Sequence, residues 1–426
     1  MLVPFFRSGR TLAMGGALIA SAFLAIAWLA PERGGPAFMI AVAVGAGGYV
    51  IAALAIAAGV SVSRRMLLMC AVAAVVWRMP LLWTPPIAAH DAVRYVWDAR
   101  VQRAGLNPYE TRPDDPALEH LHTPLTRTVD AAWLPTIYPP VAQLYFRAVS
   151  AVNESILAFR IAALASDAGI MTALTLLLRA LGRPPAAMLL YAWHPLPALE
   201  GASGGHVDVF GALLLVLAAL ALARRWIATA TLAFAAAVLV KPLPLVLLPL
   251  LWRRVPARHV LLAVASMAAL TAWIGRGALP LGSTAAFLDD FRFNGPLFAF
   301  AESVLAPRAI AAAAVAVGLV VAAAQRRDEK RFPWAWPLGA ALLLSPVIYP
   351  WYLVWMIPGL ATSPAIPMLM WSVSILSVYG AWHDRELLAP LEVSTGLLVV
   401  EFAPVLIAAI WLAAHRYRHH HPRLAT

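Results

Sequence analysis

Eight apolar runs of about 20 residues or more, near 11–30, 37–60, 66–88, 156–181, 207–226, 258–277, 297–324 and 395–414, constrain this chain more than any other feature. A helix rising about 1.5 Å per residue needs roughly 20 apolar residues to cross a hydrocarbon core of about 30 Å, and helices satisfy their backbone groups without water. Each run is therefore expected to be a helix. Shorter runs near 185–200, 228–252, 334–362 and 365–382 carry internal prolines and read as short or kinked spans. The expectation is an all-α integral membrane protein with about 11 to 14 transmembrane helices. Composition agrees: 62% of the chain is hydrophobic, 12% is charged and mean hydropathy is +0.78, whereas soluble domains average roughly 45–50% apolar and 25% charged. A soluble globule and a disordered chain are excluded, and one cysteine, Cys70, excludes a disulfide-stapled module. The net charge of +11 comes from short basic clusters between apolar runs, so it points to a lipid surface and not to nucleic acid. The first run follows Arg7 and Arg10 as in a signal peptide, but no small-residue cleavage site follows, and it is read as a retained helix.

Arginine counting orients the spans. Arg7/Arg10, Arg64/Arg65, Arg179/Arg183, Arg224/Arg225, Arg253/Arg254/Arg258, Arg326/Arg327/Lys330/Arg331 and Arg416/Arg418/Arg423 alternate onto one side and hold 18 of the 32 basic residues. The positive-inside rule makes that side cytoplasmic, with both termini on it. Segment 89–137 then lies outside. Its 49 residues carry 12 of the 53 charged ones, and polar loops of that length are usually functional. The apolar stretch Tyr138–Ala151 opens with Pro139-Pro140 and is too short to cross, so it is read as a helix lying in the outer interface. Three regions result: N-terminal helices over 1–88, an external loop with its interfacial helix over 89–152, and a helical bundle over 153–426.

Ionisable groups at membrane depth are costly, and those that persist usually line a cavity. Arg160, Asp167, His194, Glu200, His206, Asp208, Lys241, Glu302 and Glu401 all sit near the expected outer ends of spans. Polar residues at one face suit a reaction chamber opening outward. A transporter or lipid flippase using that cavity is the alternative reading, although its pathway should carry polar residues through the whole depth, and no internal repeat is visible.

Lys241 is one of only two lysines among 32 basic residues and lies in the apolar run Val238-Leu-Val-Lys241-Pro-Leu-Pro. An ammonium there suits a point contact to phosphate; a snorkelling lysine at a helix end is the other reading. Asp91, Arg94, Tyr95 and Asp98 are spaced to share one helix face at the start of the external loop. A carboxylate on that face can take a proton from an attacking hydroxyl, while a structural reading makes Asp91 a helix cap and Asp98 the partner of Arg94. Gly204-Gly205-His206-Val-Asp208 places two polar groups after a glycine hinge, suited to sugar hydroxyls, and one His with one Asp is an incomplete metal set. Ser345-Pro346-Val-Ile-Tyr349-Pro350-Trp351-Tyr352 collects aromatics either as an interfacial belt or as a sugar-stacking platform.

Asp91-x-x-Arg94-Tyr95-x-Trp97-Asp98, Gly105-x-Asn107-Pro108-Tyr109, Tyr138-Pro139-Pro140, Gly205-His206-x-Asp208, Lys241-Pro242 and Tyr349-Pro350-Trp351-Tyr352 together resemble polytopic glycosyltransferases of the GT-C class. More narrowly, they are similar to the polyprenol-phosphate-mannose-dependent mannosyltransferases of actinobacterial envelope synthesis. The resemblance spans roughly residues 65–360. It implies a bacterial inner-membrane enzyme moving a hexose, mannose first, from a polyprenyl-phosphate donor to an envelope glycan or glycolipid acceptor on the outer face. It implies Asp91 as catalytic base of an inverting displacement, with the donor phosphate met by Lys241, Arg94 and Arg292. Asp98, Tyr95, Asn107, Tyr138, His206, Asp208, Tyr349, Trp351 and Tyr352 are then the expected sugar- and acceptor-binding residues. Some members of the class use a divalent cation (Mg or Mn), which the carboxylates of this loop leave open.

Overall fold

The computed structural model describes residues 6–29, 32–85, 91–276, 278, 281–327, 332–363, 365–383 and 392–420. Lys330, Arg331 and Arg423 of the basic clusters lie outside them. Among the described residues, the α-helices of eight residues or more are α1 (Gly9–Trp28), α2 (Pro36–Ala57), α3 (Arg64–Arg78), α4 (Asp91–Arg103), α5 (Pro140–Val152), α6 (Ile156–Ala180), α7 (Asp208–Ala223), α8 (Ile227–Val238), α9 (Ala257–Gly275), α10 (Leu281–Asp290), α11 (Pro307–Gln325), α12 (Ala335–Leu342), α13 (Ile366–Ser374) and α14 (Thr395–His420). No strand forms among them; Phe293 and Val347 make one isolated bridge. The chain is an all-α membrane protein: α1, α2, α3 with its following turn, α6, α9, α11 and the Thr395–His415 part of α14 are each long and apolar enough to cross a bilayer, and α7, α8 and Ile366–Trp382 are shorter apolar helices.

Local sequence explains the boundaries. Ser8, Ser63 and Ser155 accept backbone N–H bonds at the starts of α1, α3 and α6, which satisfies donors that a helix N-terminus otherwise leaves bare. α1 and α2 form a hairpin whose backbones nearly touch, since a Cβ added at Gly15 would lie 2.7 Å from the carbonyl oxygen of Gly48; small residues permit this close packing in lipid. Leu261, Leu262, Val264 and Trp273 of α9 point outward, a surface that suits hydrocarbon and not water.

Two runs expected as single spans are interrupted. The run near 66–88 ends as α3 and becomes a 3₁₀ turn over Met79–Trp83 at Pro80, which lacks the N–H that would continue the helix. The run near 297–324 divides into a short helix Pro296–Glu302 and α11, with Ala306 extended (φ −66°, ψ 145°), because a residue before proline is pushed out of the helical region. The proline-rich runs are kinked as expected: 185–203 is a chain of short turns ending in a π-helical turn over Ala198–Ser203.

The polar segment from α4 through α5 is packed. α5 buries Ala142, Gln143, Phe146 and Ser150, and Tyr95 of α4 stacks on Phe146 at 4.1 Å. Gln143 donates to Asp98 at 2.9 Å, Arg100 and Arg103 both hold Glu154, and Trp97 stacks on His122 at 4.3 Å.

α7 is central, packed between α6 and α8. Trp355 lies so close to Gly211 that an added Cβ would fall 2.1 Å from its ring. Gly211→Ala is therefore expected to displace Trp355 and cost about 1–3 kcal/mol by overpacking. A lowered thermal midpoint in detergent with altered tryptophan fluorescence is the expected result, and an unchanged midpoint would contradict the close approach.

Candidate active site

At one end of the bundle a cavity of about 510 Å³ opens between the polar segment 91–138, the segment after α9 and the Tyr349–Tyr352 turn, a size within the usual range for small ligands. Nine of its 18 lining residues are aromatic, among them Tyr138, Phe293, Tyr349, Trp351 and Tyr352. Phe293, Tyr349 and Trp351 form a stacked series with centroids 4.7 and 4.3 Å apart. Flat apolar faces of this kind suit the C–H face of a sugar ring. Phe293 is brought there by its bridge to Val347, its N–H donating to the carbonyl of Pro346 at 3.0 Å and its carbonyl accepting from Ile348 at 2.9 Å.

Three carboxylates line the cavity. Asp130 and Asp290 are exposed, whereas Asp91 is enclosed, with 33% of its side chain open. Asp91 is the first residue of α4, where the helix dipole favours a negative charge. Its Oδ2 lies 3.4 Å from Nδ1 of His206. The other ring nitrogen of His206 lies 3.2 Å from Oε2 of Glu200, which is fully buried. Burial by itself would raise the Asp91 carboxyl, but the facing imidazole outweighs it, helped by Lys241 and Tyr138, and the group sits below its ordinary value. For His206, in the turn ahead of α7, burial by itself lowers the imidazole, yet the two flanking carboxylates prevail and raise it to about 9. The pair is thus a carboxylate facing an imidazolium at neutral pH.

The cations expected at phosphate are differently placed. Arg94 lines the cavity and donates to the carbonyls of Asp130, Ala131 and Leu134; these three bonds use three of its five N–H groups. Arg292 lines the cavity too, held by Glu302 at 2.5 Å and by carbonyls of its own segment. Lys241 lies behind the wall, its ammonium 2.7 Å from Asp208 and 4.0 Å above the ring of Tyr352. The ammonium is thus neither bare toward the cavity nor simply snorkelling: a buried aspartate is its partner, and Trp355 donates to the same oxygen at 2.7 Å.

Of the expected sugar-binding residues, Tyr138, Tyr349, Trp351 and Tyr352 line the cavity. Tyr95, Asp98, Asn107, His206 and Asp208 are buried behind it. Tyr95 accepts the Val207 N–H at 3.4 Å, tying α4 to the His206 turn. Asp98 takes its bond from Gln143 and is raised by burial to about 6, and Arg94 spends three of its donors on loop carbonyls. Asn107 donates to the carbonyl of Gly275 at 2.8 Å and fastens the loop to the end of α9. Sequence reasoning missed Arg33, whose guanidinium meets Glu200 at 2.5 Å, and α10, which carries Phe287 and Asp290 to the cavity. An arginine alone in the short link between two apolar runs was the available signal for Arg33. Among the described residues no group of three or more His, Cys, Asp and Glu is arranged to hold a metal ion.

Residues 8–256 match a protein-family model described as alpha-(1->6)-mannopyranosyltransferase, N-terminal domain. No curated protein and no solved structure matches the chain at a significant level.

Proposed function

The chain belongs to the alpha-(1->6)-mannopyranosyltransferase family through residues 8–256, and from that premise we propose that it is an inverting membrane mannosyltransferase using a polyprenyl-phosphate-mannose donor. Its acceptor is an envelope mannan or glycolipid on the outer face of the bacterial inner membrane, and both termini are cytoplasmic. The observation that carries the reading is Asp91: an enclosed carboxylate, kept ionised, at an aromatic cavity beside the end of a helical bundle. A lipid-borne donor is anchored at that depth by its tail, and its sugar reaches such a cavity without a nucleotide site.

In the proposed step Asp91 takes the proton of an acceptor hydroxyl, whose oxygen bonds to the anomeric carbon. The bond from that carbon to the phosphate oxygen breaks, and its electron pair leaves with the polyprenyl phosphate. Inversion makes an α product from a β-linked donor. Arg94, with two of its five N–H donors not used on loop carbonyls, stabilises the departing phosphate; Lys241, paired with Asp208, supports Tyr352 from behind. Trp351 and Tyr349 form the platform for the sugar face, and Tyr138 and Tyr352 close the wall.

Purified full-length protein is expected to transfer labelled mannose from polyprenyl-phosphate mannose, and not from a nucleotide sugar, to a short synthetic α-(1→6)-mannooligosaccharide. Transfer from the nucleotide sugar alone would overturn the donor assignment, and no transfer from either would overturn the reading. Sidedness is checked separately in a Cys70→Ala background, where Asp115→Cys should label from outside the cell and Arg327→Cys only after permeabilisation. Labelling of both from one side would remove the external site.

A further inference from the structure

His206 has no place in the step just described, yet an aromatic ring and two carboxylates face it. Its ring lies flat on Trp351 at 4.1 Å. Its two nitrogens face Asp91 and Glu200. Glu200 in turn accepts from Arg33 at 2.5 Å and from the hydroxyl of Tyr379, and the Arg33 guanidinium lies 4.3 Å over the Tyr379 ring. Charges thus alternate from the cavity into the bundle: Asp91 negative, His206 positive, Glu200 negative, Arg33 positive. The chain joins four distant parts of the sequence, namely the α1–α2 link, α4, the π-helical turn with the glycine turn behind it, and the turn over Ile375–Trp382.

Backbone geometry is adapted to this placement. Gly205 has φ +74°, in the left-handed region, and a Cβ at Gly204 would lie 2.5 Å from the His206 ring. A side chain at either position would disturb the imidazole. The π-helical turn sets Glu200 beneath it, its carbonyl accepting the His206 N–H at 3.0 Å, and such turns are frequent at functional sites.

We propose that His206, fixed by Glu200 and Arg33, is a positioning residue for Asp91: it holds Oδ2 so that Oδ1 is presented to the acceptor hydroxyl. This inference rests on the mannosyltransferase reading above. The acceptor proton ends on Asp91 and none passes through His206, which keeps both of its own. The imidazolium offsets the cost of holding an enclosed carboxylate ionised, and Glu200 keeps the imidazolium from losing its proton. The other charged or titratable groups packed around this turn are Arg160, whose stem lies against Gly205, the Lys241–Asp208 pair at the head of α7 with Tyr352 beside its ammonium, and the hydroxyls of Tyr95, which accepts the Val207 N–H, and Tyr138. The Lys241–Asp208 pair is internally neutralised and burial keeps both of those phenols protonated, so the carboxylates on either side dominate the imidazole.

The test is the pH profile of kcat for the full-length enzyme with polyprenyl-phosphate mannose and the synthetic mannooligosaccharide. Asp91 works only when ionised, so the wild-type acid limb should lie below the ordinary carboxylate range. His206→Gln removes the cation and leaves the burial, and should move that limb up by roughly one pH unit or more. His206→Lys restores a cation and should bring it back. Glu200→Gln should leave the acid limb in place, because His206 is protonated there in any case, and should lower the alkaline limb by roughly one unit or more. Opposite ends of the profile thus report the two residues, a pattern that loss of packing alone does not produce. ¹⁵N-histidine NMR, with His206 assigned by its disappearance in His206→Gln, should show both ring nitrogens protonated through neutral pH in the wild type and deprotonation at lower pH in Glu200→Gln. If His206→Gln does not fold, Glu200→Gln decides through the alkaline limb and the NMR titration. Active wild type with unmoved limbs would overturn the positioning role alone. Wild type inactive with this donor would overturn the underlying reading, and the positioning role with it.

Discussion

Asp91→Asn is expected to reduce mannose transfer by about a thousand- to ten-thousand-fold, the upper part of the range for losing a positioned general base. Asparagine keeps the shape of aspartate, and the position is partly open to the cavity, so the fold should survive and donor binding should persist. The loss should appear in kcat with little change in KM for the donor, because the base acts after the donor is seated. Asp98→Asn is the internal contrast. Asp98 is buried and its structural bond comes from Gln143, so an amide there should leave transfer within a few-fold of wild type. Transfer by Asp91→Asn within a few-fold of wild type would remove this residue from the mechanism, and the exposed Asp130 and Asp290 at the cavity rim would become the candidates.

The largest stability effect is expected at Lys241. From the sequence, an ammonium at a span end could be removed without weakening the fold. The structure reverses that expectation, because Asp208 is buried and its oxygen is shared between Lys241 and the Trp355 indole. Lys241→Ala strands a buried carboxylate, a loss of about 3–5 kcal/mol when one partner of a buried pair is removed. Lys241→Ala with Asp208→Asn should recover much of it, since the amide oxygen still accepts from Trp355 and carries no charge. Thermal midpoints of the two single variants and the double variant in detergent close the cycle. A Lys241→Ala midpoint equal to wild type would show that the pair contributes nothing. The same variants separate stability from donor use: loss of donor affinity in the stable double variant would assign Lys241 a direct part at the phosphate, and unchanged affinity would leave that part to Arg94.

The long apolar runs, the basic clusters between them and the polar segment 89–137 are local properties, and they were legible because a bilayer makes hydrophobic length an absolute requirement on each segment. The same holds for the face of α4, whose four residues share one side by helical spacing alone, and for the proline-broken runs, where a missing N–H acts within one turn. The motif residues Asp91, Arg94, Tyr138, Tyr349, Trp351 and Tyr352 could be assembled around one cavity in advance of any coordinates because their order along the chain carries a resemblance. Their division into wall and support could not. Whether Asp98, His206, Asp208 and Lys241 face the cavity or stand behind it depends on which neighbour reaches each polar group first. Gln143 reaches Asp98, Glu200 reaches His206, and Trp355 and Lys241 both reach Asp208; Glu200 in turn is met by Arg33, 167 residues away. Apolar burial is decided segment by segment, but each buried charge must find a partner wherever the packed chain supplies one. Only the tertiary structure decides that pairing.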